Sequence, residues 1–393
     1  MMDAPEICVS RPAEKRSDIC IVIPTFNQYE VTAKSVALLA KQTVACDIVV
    51  VDNASTDGTY ERLAEEFTHI TLLKSKVNSG GSGGLYLGQK YAYERGYEYI
   101  VLSDNDAFAV DDNLIESIVN VADDSHIAAF VNAAEEDEPS IKIFHFGCYH
   151  RRLIERIGLV AYHYFIYGDD VEYEYRLRQA GVETINVWVR YAHPMKYHYP
   201  VNRVYFDIRN ELENAKIYAS RRKDLFRNLF PKFLFFKLYE PTKYSVMRTA
   251  IRAWQQGVWD NGFIAKKFHM DVAYTRLDAT ALRELAGQKE LIVTYNKRLT
   301  AFLEQNAIAY RLYERKYRFG KRGAVLLHNS YIPAILFFSK TYYIVDVEQE
   351  TGSIVCFVPA SCSLLRKIAA LLEAWVQTLK ICRLVNRKAR NAS

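Results

Sequence analysis

Short apolar runs alternate with helical stretches through the N-terminal quarter of the chain, and this alternation constrains the fold more than any other feature. The runs cover residues 19–23, 48–51, 70–73 and 99–102 and consist mainly of Ile, Val and Leu. Strands that alternate with helices over such short intervals are joined by right-handed crossovers and form a parallel sheet. Sheets of this kind bind ligands beyond the carboxyl ends of their strands.

Polar clusters directly follow three of these runs: Pro24–Thr25, Asp52–Asn53 and Asp104–Asp106. Asp104 and Asp106 offer hard oxygen ligands of the kind that Mg²⁺ or Mn²⁺ prefers, and an ion held there would bind a diphosphate. The alternative is an Asx turn centred on Asn105. Because the carboxyl ends of parallel strands share one edge of a sheet, the three clusters together favour a ligand site.

Three segments in this order resemble the motifs of family 2 glycosyltransferases of the GT-A fold: Ile21–Asn27, Val50–Gly58 and Asp104–Asp106. The glycine-rich segment Asn78–Gly84 is similar to the corresponding loop of the galactofuranosyl- and rhamnosyltransferase branch. The resemblance covers about residues 18–215. It implies an α/β fold with a Rossmann-like, mostly parallel central sheet flanked by helices.

The resemblance implies an inverting, metal-dependent glycosyltransferase. Its donor would be a nucleotide diphosphate sugar, UDP-galactofuranose or dTDP-rhamnose, and its acceptor a hydroxyl of a lipid-linked or cell-surface glycan. One alternative is a transferase of the UDP-glucose or UDP-galactose type that builds capsule or O-antigen. A nucleotidyltransferase would need a lysine-bearing glycine loop near the first strand, and a non-catalytic sugar-binding or membrane-binding module would need a damaged site. The sequence shows neither feature.

The resemblance assigns nucleotide-sugar binding to residues at the strand ends. Asp52 would accept the imide N–H of uracil or thymine, with Asn53 in support, although an N-cap or turn role is the alternative. Three further residues would line the base and ribose mainly through backbone atoms: Pro24, Thr25 and Asn27.

The glycine-rich segment is expected to approach the donor through Asn78, Gly80 and Gly81. Glycines permit close backbone approach, and a helix predicted from Leu85 onward would offer N–H groups to phosphate. A dinucleotide-binding role is the competing interpretation. It fails on position, because the segment follows the third strand and no GxGxxG lies near the first.

Asp169 and Asp170 open a helix predicted to run to Ala180. The resemblance makes Asp170 the general base, while Asp169 would contact acceptor hydroxyls or share the helix cap. Arg176 stands where the family has an arginine six residues further on, and it is expected to bind the nucleotide sugar. Repulsion between the adjacent acids favours a raised pKa on one of them.

His193 ends the predicted strand 185–192. The resemblance implies that it completes a metal site with Asp104 and Asp106, and Asp104 would also face the donor. Neutral imidazole suits Mn²⁺, so the expected cofactor is Mn²⁺ or Mg²⁺. His198, five residues later, is the alternative ligand.

Four parts are predicted along the 393 residues, half of which are hydrophobic. They are an N-terminal extension (1–17), the catalytic domain (18–215), a basic and aromatic helical region (216–275) and an α+β appendage (276–393). The appendage combines a helix over 282–306, strands over 324–327, 342–347 and 354–358, and a C-terminal amphipathic helix. The apolar stripe of that last helix, from Leu364 to Leu379, is interpreted as core packing, with a membrane-lying or dimer-forming helix as the alternative.

Composition predicts the cellular setting. Seven cysteines without a CxxC pair argue against a zinc ribbon or disulfide framework and fit a reducing cytoplasm. The charged segment 1–18 is no secretory signal. From 216 to 267, basic residues outnumber acidic ones about fourfold among many aromatic residues, which favours an anionic membrane surface over a nucleic-acid partner. The predicted location is cytoplasmic and peripheral on the inner face of the plasma membrane, and a homo-oligomer is compatible with the sequence.

Overall fold

The computed structural model describes residues 4–122, 128–133, 144–193, 201–258, 275–293, 297–312, 325–328, 340–348, 353–357 and 363–391. The chain divides into two compact units. One contains residues 1–195 and 257–261, and the other contains residues 196–256 and 262–393. The sequence-based boundary at 215 therefore lies inside the second unit, and the functional division of the chain stays a prediction.

The first unit alternates strands and helices as the sequence predicted. Its strands are β1 (Ile7–Arg11), β2 (Ile19–Thr25), β3 (Asp47–Asp52), β4 (Thr71–Ser75), β5 (Tyr99–Ser103), β6 (Phe108–Ala109), β7 (Ala128–Ala133), β8 (His145–His150), β9 (Ile185–Val189) and β10 (Tyr191–Ala192). Its helices are α1 (Tyr29–Leu39), α2 (Thr59–Glu66), α3 (Gly80–Glu94), α4 (Leu114–Val119), α5 (Arg151–Ile157) and α6 (Asp169–Gln179), with a 3₁₀ turn at Tyr162–Tyr164.

The central sheet has eight described strands in the order β1-β4-β3-β2-β5-β8-β7-β9. Strands β2, β3, β4 and β5 are mutually parallel, β7 and β9 run in the same direction, and β1 and β8 are antiparallel to their neighbours. Strands β6 and β10 form a separate antiparallel ribbon. The predicted α/β architecture with a mostly parallel sheet is confirmed.

Helices cover both faces of the sheet, which explains why its central strands are continuously apolar. Every residue of β2 is buried. Because successive side chains of a strand point to opposite faces, Ile21 and Ile23 pack with Val36 of α1, while Val22 packs with Leu85 of α3 on the other face. The apolar layers between the helices and the two faces of the sheet hold the parallel strands in place, so that their carboxyl ends lie at one edge.

Residues 7–11, which the sequence analysis placed in an N-terminal extension, form the edge strand β1 beside β4. Arg11 fixes this strand by donating hydrogen bonds to the carbonyls of Ala64 and Phe67, each at 2.7 Å, near the end of α2. Cations at a helix C-terminus are favourable because the last carbonyls carry partial negative charge. The sheet therefore begins earlier in the chain than the motifs suggested.

Helix α3 begins at Gly80, so the prediction of a helix starting at Leu85 was wrong. Two of its glycines face the sheet at close range. A Cβ on Gly88 would lie 2.2 Å from Val22 Cγ1, and a Cβ on Gly84 would lie 2.7 Å from Pro24 Cβ. These glycines are needed for the close packing of α3 on β2, a reason that is independent of any ligand.

The second unit combines helices with a smaller sheet. The helices are α7 (Val201–Ile217), α8 (Ala219–Tyr239), α9 (Pro241–Gln256), α10 (Ala279–Gln288), α11 (Lys297–Gln305) and α12 (Leu364–Arg390). The described strands are β11 (Thr275–Asp278), β12 (Leu291–Val293), β13 (Arg311–Leu312), β14 (Val325–His328), β15 (Lys340–Glu348) and β16 (Ser353–Phe357), in the order β11-β16-β15-β14-β12-β13.

Two sequence-based predictions for this unit need correction. The single helix predicted over 282–306 is interrupted, because Leu291–Val293 forms the buried strand β12 between α10 and α11. The stripe expected to pack in the core from α12 is exposed at Ile368, Leu372, Trp375 and Val376. In the described part of the chain, no helix has both the length and the apolar composition needed to cross a bilayer.

Candidate functional site

The topology brings four potential metal ligands together at the carboxyl end of β5. Asp104 and Asp106 lie in the turn that follows β5. His145 begins β8, which runs antiparallel to β5 and places His145 opposite Ser103. His193 follows β10, whose pairing with β6 sets Ala192 opposite Phe108 and so carries His193 to the same turn.

These four side chains form two acid–histidine pairs. His145 Nε2 lies 3.2 Å from Asp104 Oδ2, and His193 Nε2 lies 3.0 Å from Asp106 Oδ1. The centroids of the two imidazole rings are 4.0 Å apart. Ligand atoms of Asp104, His145 and His193 all lie within 4.8 Å of one another. Neighbouring ligands of a six-coordinate Mg²⁺-sized ion are about 3 Å apart, so the spacing suits a divalent ion.

The electrostatics of the pairs also suit a cation. Burial raises the pKa of Asp106, but the hydrogen bond from His193 and the interactions with the two histidines outweigh it, so the pKa is lowered. Asp106 is therefore a carboxylate at neutral pH, as a metal ligand must be. The second ring nitrogen of His145 lies 3.3 Å from the Tyr191 hydroxyl, a contact that orients the imidazole.

The acid pair at the start of α6 interacts electrostatically with Asp104. Burial, followed by the charge of Asp170, raises the pKa of Asp169 to about 7, and Ser82 Oγ donates a 2.6 Å hydrogen bond to its carboxylate. The pKa of Asp170 is raised by burial and then by the negative charge of Asp104. Asp170 still has accessible surface. Asp170 is therefore open to a ligand, and its charge interacts with that of Asp104.

The segment before α6 holds strained backbone conformations. Phe165 and Tyr167 have positive φ angles of 68° and 65°, and Gly168 has a φ of 80°. Non-glycine residues in this region cost roughly 1–3 kcal/mol each. The carbonyl of Phe165 accepts a hydrogen bond from the backbone N–H of Ser82. The strained turn therefore fixes the start of α6, with its two acids, against the first turn of α3.

Asp52 presents an unsatisfied oxygen at the end of β3. The residue is fully buried, and its Oδ2 accepts a 3.1 Å hydrogen bond from the Ser55 N–H. Its Oδ1 is buried without a hydrogen-bond partner in the described protein. Burial raises the pKa of this carboxyl. Buried acceptors normally have a donor, so Asp52 Oδ1 is a specific place for a ligand N–H.

The neighbours of Asp52 use their side chains within the protein. The Asn53 amide donates to the Gly80 carbonyl at 3.1 Å and accepts from Ser79 Oγ at 2.9 Å, so it ties β3 to α3. This argues against the supporting nucleotide contact predicted for the Asn53 side chain. Thr25 Oγ1 shares a 2.7 Å hydrogen bond with Thr32 Oγ1. Pro24, in β2, is buried beside β3.

Asn27 shapes the adjoining loop. It has a φ of 52°, its backbone N–H donates to Ser55 Oγ, and its side-chain oxygen accepts from the Thr56 N–H, both at 2.9 Å. The side chains of Thr25 and Asn27 and the backbone N–H of Asn27 are thus engaged within the protein, and the predicted contact of these residues with the base and ribose stays a prediction.

Within the glycine-rich segment, Gly81 differs from its neighbours. Asn78 Oδ1 accepts from the Gly80 N–H at 2.9 Å. Gly80 has a φ of 71°, and a Cβ there would lie 2.0 Å from the carbonyl oxygen of Phe165. Gly80 is thus required by packing, which argues against the predicted ligand role. The Cβ position of Gly81 has no atom within 4 Å, so this residue leaves room for a ligand.

Arg176 has a structural role that argues against the predicted donor contact. Its guanidinium donates to Glu172 Oε2 at 2.8 Å and to the carbonyls of Ile157 and Leu159 at 2.8 and 2.9 Å. It also lies over the Tyr173 ring. These contacts use the guanidinium to hold α6 on the segment that follows α5, and the predicted role of Arg176 in nucleotide-sugar binding stays a prediction.

The structure adds His145, which sequence reasoning missed, and leaves His198 outside the described residues. No local motif marks His145. It reaches the site only because β8 pairs with β5 in an antiparallel register, a long-range contact that the sequence does not encode locally.

A parallel α/β sheet with a candidate divalent-metal site and an acid pair after its strands is the arrangement expected of a glycosyltransferase domain of the GT-A class. The profile of the family described as Glycosyl transferase family 2 matches residues 20–161. The predicted resemblance is confirmed, and the chain contains a family 2 glycosyltransferase domain.

Curated relatives are similar over part of the chain. Galactofuranosyltransferase GlfT1 of Mycobacterium tuberculosis is 27% identical over 196 residues, 41% of this chain and 64% of the relative. The corresponding protein of Mycolicibacterium smegmatis is 24% identical over 200 residues, 42% of this chain and 66% of the relative. Undecaprenyl-phosphate mannosyltransferase of Micrococcus luteus is 31% identical over 91 residues, 22% and 37% of the two chains. The chain thus spans just under two thirds of the galactofuranosyltransferases.

Solved structures show a similar but distant arrangement. The mannosyltransferase PcManGT from Pyrobaculum calidifontis, in complex with GDP-Man and Mn²⁺, has a TM-score of 0.43 at 18% identity, with 64% of this chain and 78% of that chain covered. TarS from S. aureus has a TM-score of 0.41 at 16% identity, with 60% and 49% covered.

Proposed function

We propose that this protein transfers a sugar, with inversion, from a nucleoside diphosphate donor to a hydroxyl group. The observation that carries the proposal is the cluster of Asp104, His145 and His193 at the carboxyl edge of the sheet, whose ligand atoms lie within 4.8 Å of one another. Such a transfer needs a cation for the leaving diphosphate and a base for the acceptor hydroxyl, held close together. Asp104 would help to hold the cation and Asp170 would be the base. The negative charge of Asp104 contributes to the raised pKa of Asp170.

A divalent ion would be held by Asp104, Asp106, His145 and His193. When bound, it would neutralise the charge that develops on the departing diphosphate. Mn²⁺ suits the mixed carboxylate and imidazole donors better than Mg²⁺, which prefers oxygen ligands. Asp104 would stand between the donor phosphates and the acid pair.

The nucleotide would be recognised by Asp52. Its Oδ1 is an acceptor without a partner among the described residues, and the imide N–H of uracil or thymine is a matching donor. Cytosine, which has no N3–H when neutral, would leave this acceptor unsatisfied. Guanine also carries a ring N–H, so the choice of a UDP-sugar or a dTDP-sugar as donor rests on the resemblance to galactofuranosyl- and rhamnosyltransferases.

Asp170 would remove the acceptor proton. The hydroxyl oxygen would attack the anomeric carbon opposite the leaving nucleotide, the bond to the diphosphate oxygen would break, and the proton would remain on Asp170. Its raised pKa makes the carboxylate a stronger base than an ordinary aspartate. Asp169, buried and bound by Ser82, would position the start of α6 and contact the acceptor.

The similarity to galactofuranosyltransferases supports UDP-galactofuranose as the donor, with dTDP-rhamnose next and the UDP-glucose or UDP-galactose type as the alternative. A lipid-linked or cell-surface glycan would be the acceptor, and the protein would work peripherally at the cytoplasmic face of the membrane. A relative named for undecaprenyl phosphate is consistent with a lipid-linked acceptor.

A panel of UDP-, dTDP- and GDP-sugars, incubated with the full chain and Mn²⁺, tests this function. Nucleotide diphosphate release should occur with one UDP- or dTDP-sugar, fall to background in EDTA, and return on adding Mn²⁺. Asp170→Asn serves as the inactive control. Release of sugar 1-phosphate instead, with transfer of the nucleoside monophosphate, would indicate a nucleotidyltransferase, and binding of no member of the panel would contradict the proposal.

A further inference from the structure

Helix α12 exposes an apolar stripe over its N-terminal half. Five large residues at intervals of mostly three or four positions are 45–80% exposed: Leu365, Ile368, Leu372, Trp375 and Val376. This spacing puts them on one face of the helix. Contiguous exposed apolar surface of this kind is uncommon in soluble proteins and marks an interaction site.

The opposite face of α12 packs on α8. A second stripe of small and apolar residues is buried where α12 packs on α8: Ala370, Ala374, Thr378, Ile381 and Val385. The core contacts of the helix are therefore complete without the exposed stripe. Trp375 also contacts α8, but much of the exposed stripe is left uncovered by the described residues of the second unit and is available for a further contact.

Two aromatic residues of α8 extend the exposed stripe. The rings of Phe226 and Phe230 are stacked with centroids 5.4 Å apart, and they lie 5.0 and 5.8 Å from the Trp375 ring. Both phenylalanines are only half-buried. We call these two residues and the five exposed residues of α12 the α8–α12 surface.

The same helical face becomes basic toward the C-terminus. Lys380, Arg383 and Arg387 continue the spacing of the stripe and are exposed. The single acidic residue of α12, Glu373, is already paired with Lys237 at 3.2 Å. On α8, Lys223 and Arg227 are exposed beside Phe226. The apolar surface is thus bordered by cations whose charge α12 itself does not neutralise.

We propose that the α8–α12 surface docks on an anionic phospholipid bilayer. The apolar half of α12 would lie at the boundary between head groups and acyl chains, and its basic half would contact lipid phosphates. This adds a named surface to the peripheral location proposed above. Vesicle binding needs neither donor nor acceptor, so its failure would leave the proposed transfer reaction untouched.

A second copy of the chain fits this face poorly. Parallel pairing of two α12 helices would place their basic halves side by side. Antiparallel pairing would bury each basic half against the apolar half of the partner, where the charges would lose water without gaining a counter-charge. Lipid phosphates satisfy the apolar and the basic parts at once.

Cosedimentation of the full chain with vesicles tests the surface. Binding should be strong to phosphatidylglycerol–phosphatidylcholine vesicles and weak to phosphatidylcholine alone. Leu372→Glu should weaken binding about tenfold or more, since an apolar contact is lost and a repelled charge is gained. Leu312→Glu is the matched control, because Leu312 is a comparably exposed leucine on β13 outside the surface. Unchanged circular dichroism would verify folding, and Val376→Ser provides a second variant.

The basic half has its own test. The double variant Arg383→Gln/Arg387→Gln should lose most of the preference for anionic vesicles, and added salt should weaken wild-type binding but affect this variant less. Equal binding to both vesicle types, no binding, or equal loss with Leu312→Glu would overturn the proposal. So would a dimer in sedimentation velocity that Leu372→Glu dissociates, because the occupant would then be a second copy.

Discussion

His145 Nε2 lies 3.2 Å from Asp104 Oδ2, so the first residue of β8 contacts the acid that follows β5. The antiparallel pairing of these strands makes the contact possible, and the Tyr191 hydroxyl holds the other ring nitrogen. His145 thereby joins a site that Asp104, Asp106 and His193 would otherwise form alone.

Replacing His145 should weaken metal binding. We expect His145→Asn to raise the Kd for Mn²⁺ at least about tenfold, since even the loss of a ligand-orienting partner has an effect of that size. Titration of the protein with Mn²⁺, followed by electron paramagnetic resonance, measures it directly. His150→Asn is the matched control, because His150 lies at the other end of β8 and pairs with Glu98. If both variants bind Mn²⁺ with the same affinity, His145 is not a metal ligand.

Asp170→Asn should separate catalysis from donor binding. The variant lacks the base but keeps the shape of the site, so we expect kcat to fall by about 10²–10⁴-fold while the donor Kd changes little. Glu174→Gln is the control, because Glu174 lies one turn further along α6 and pairs with Arg178. A variant at position 170 with normal turnover would refute the assignment of the base.

The stability of the protein should depend on pH through Asp169. Its folded-state pKa is raised to about 7, whereas the unfolded chain releases this proton near pH 4, about the ordinary value. Between these values unfolding releases a proton, so stability falls as the pH rises, and below about pH 4 the penalty disappears. Asp169→Asn should therefore raise the Tm by roughly 5 °C at pH 8 and by little at pH 4.

Asp57→Asn is the control of opposite sign for this measurement. The hydrogen bond from Thr59 lowers the pKa of the Asp57 carboxyl, so this group stabilises the fold above its unfolded pKa and loses that contribution in acid. Its removal should lower the Tm slightly at pH 8. Thermal unfolding of both variants in EDTA at pH 4 and pH 8 measures these effects. A Tm gain for Asp169→Asn at pH 4 that equals the gain at pH 8 would contradict the expectation.

Asp52→Asn should have opposite effects on nucleotide binding and stability. Losing a charged acceptor for the imide N–H should weaken UDP binding about 10–100-fold. The free energy of unfolding should rise by about 1 kcal/mol, because a buried carboxylate oxygen without a partner is costly. Calorimetry with UDP and denaturant unfolding measure the two effects. Asp47→Asn, at the other end of β3, should leave UDP affinity unchanged, and an unaltered affinity in Asp52→Asn would exclude the proposed contact.

Two glycines of α3 should respond differently to alanine. Gly88→Ala should destabilise the protein by about 1–3 kcal/mol, since the new methyl group would overlap Val22. Gly81→Ala meets open space and should be neutral or slightly stabilising, because alanine favours a helix. If Gly81 borders the diphosphate, its variant should also bind donor more weakly. Denaturant melts and donor titration distinguish the two positions, and equal destabilisation would contradict the packing argument.

The sequence predicted the fold well where local signals repeat. The strands β2, β3, β4 and β5 were found because apolar runs of matching length alternate with helical spacing, and the polar residues after them share one edge by the geometry of parallel strands. It also placed His193 close to Asp106, where the structure has it at 3.0 Å.

The motifs predicted side-chain use less well. Arg176 and Asn53 matched positions of the resembling family, but their hydrogen bonds are satisfied within the protein. The glycines of α3 suggested a phosphate loop, whereas two of them serve close contact with β2. Residue identity shows what a group is able to bind, and only its surroundings show whether that capacity is already used.

Periodicity and the order of motifs along the chain determined the α/β class. They also determined which edge of the sheet carries the polar residues and that Asp169 and Asp170 lie side by side at the start of a helix. Those properties follow from spacing along the backbone. Tertiary structure decided three other features: the position of His145 in the candidate metal site, the Asp52 oxygen without a partner among the described residues, and the exposed face of α12. Each depends on which distant segments pack together and which surfaces they leave uncovered.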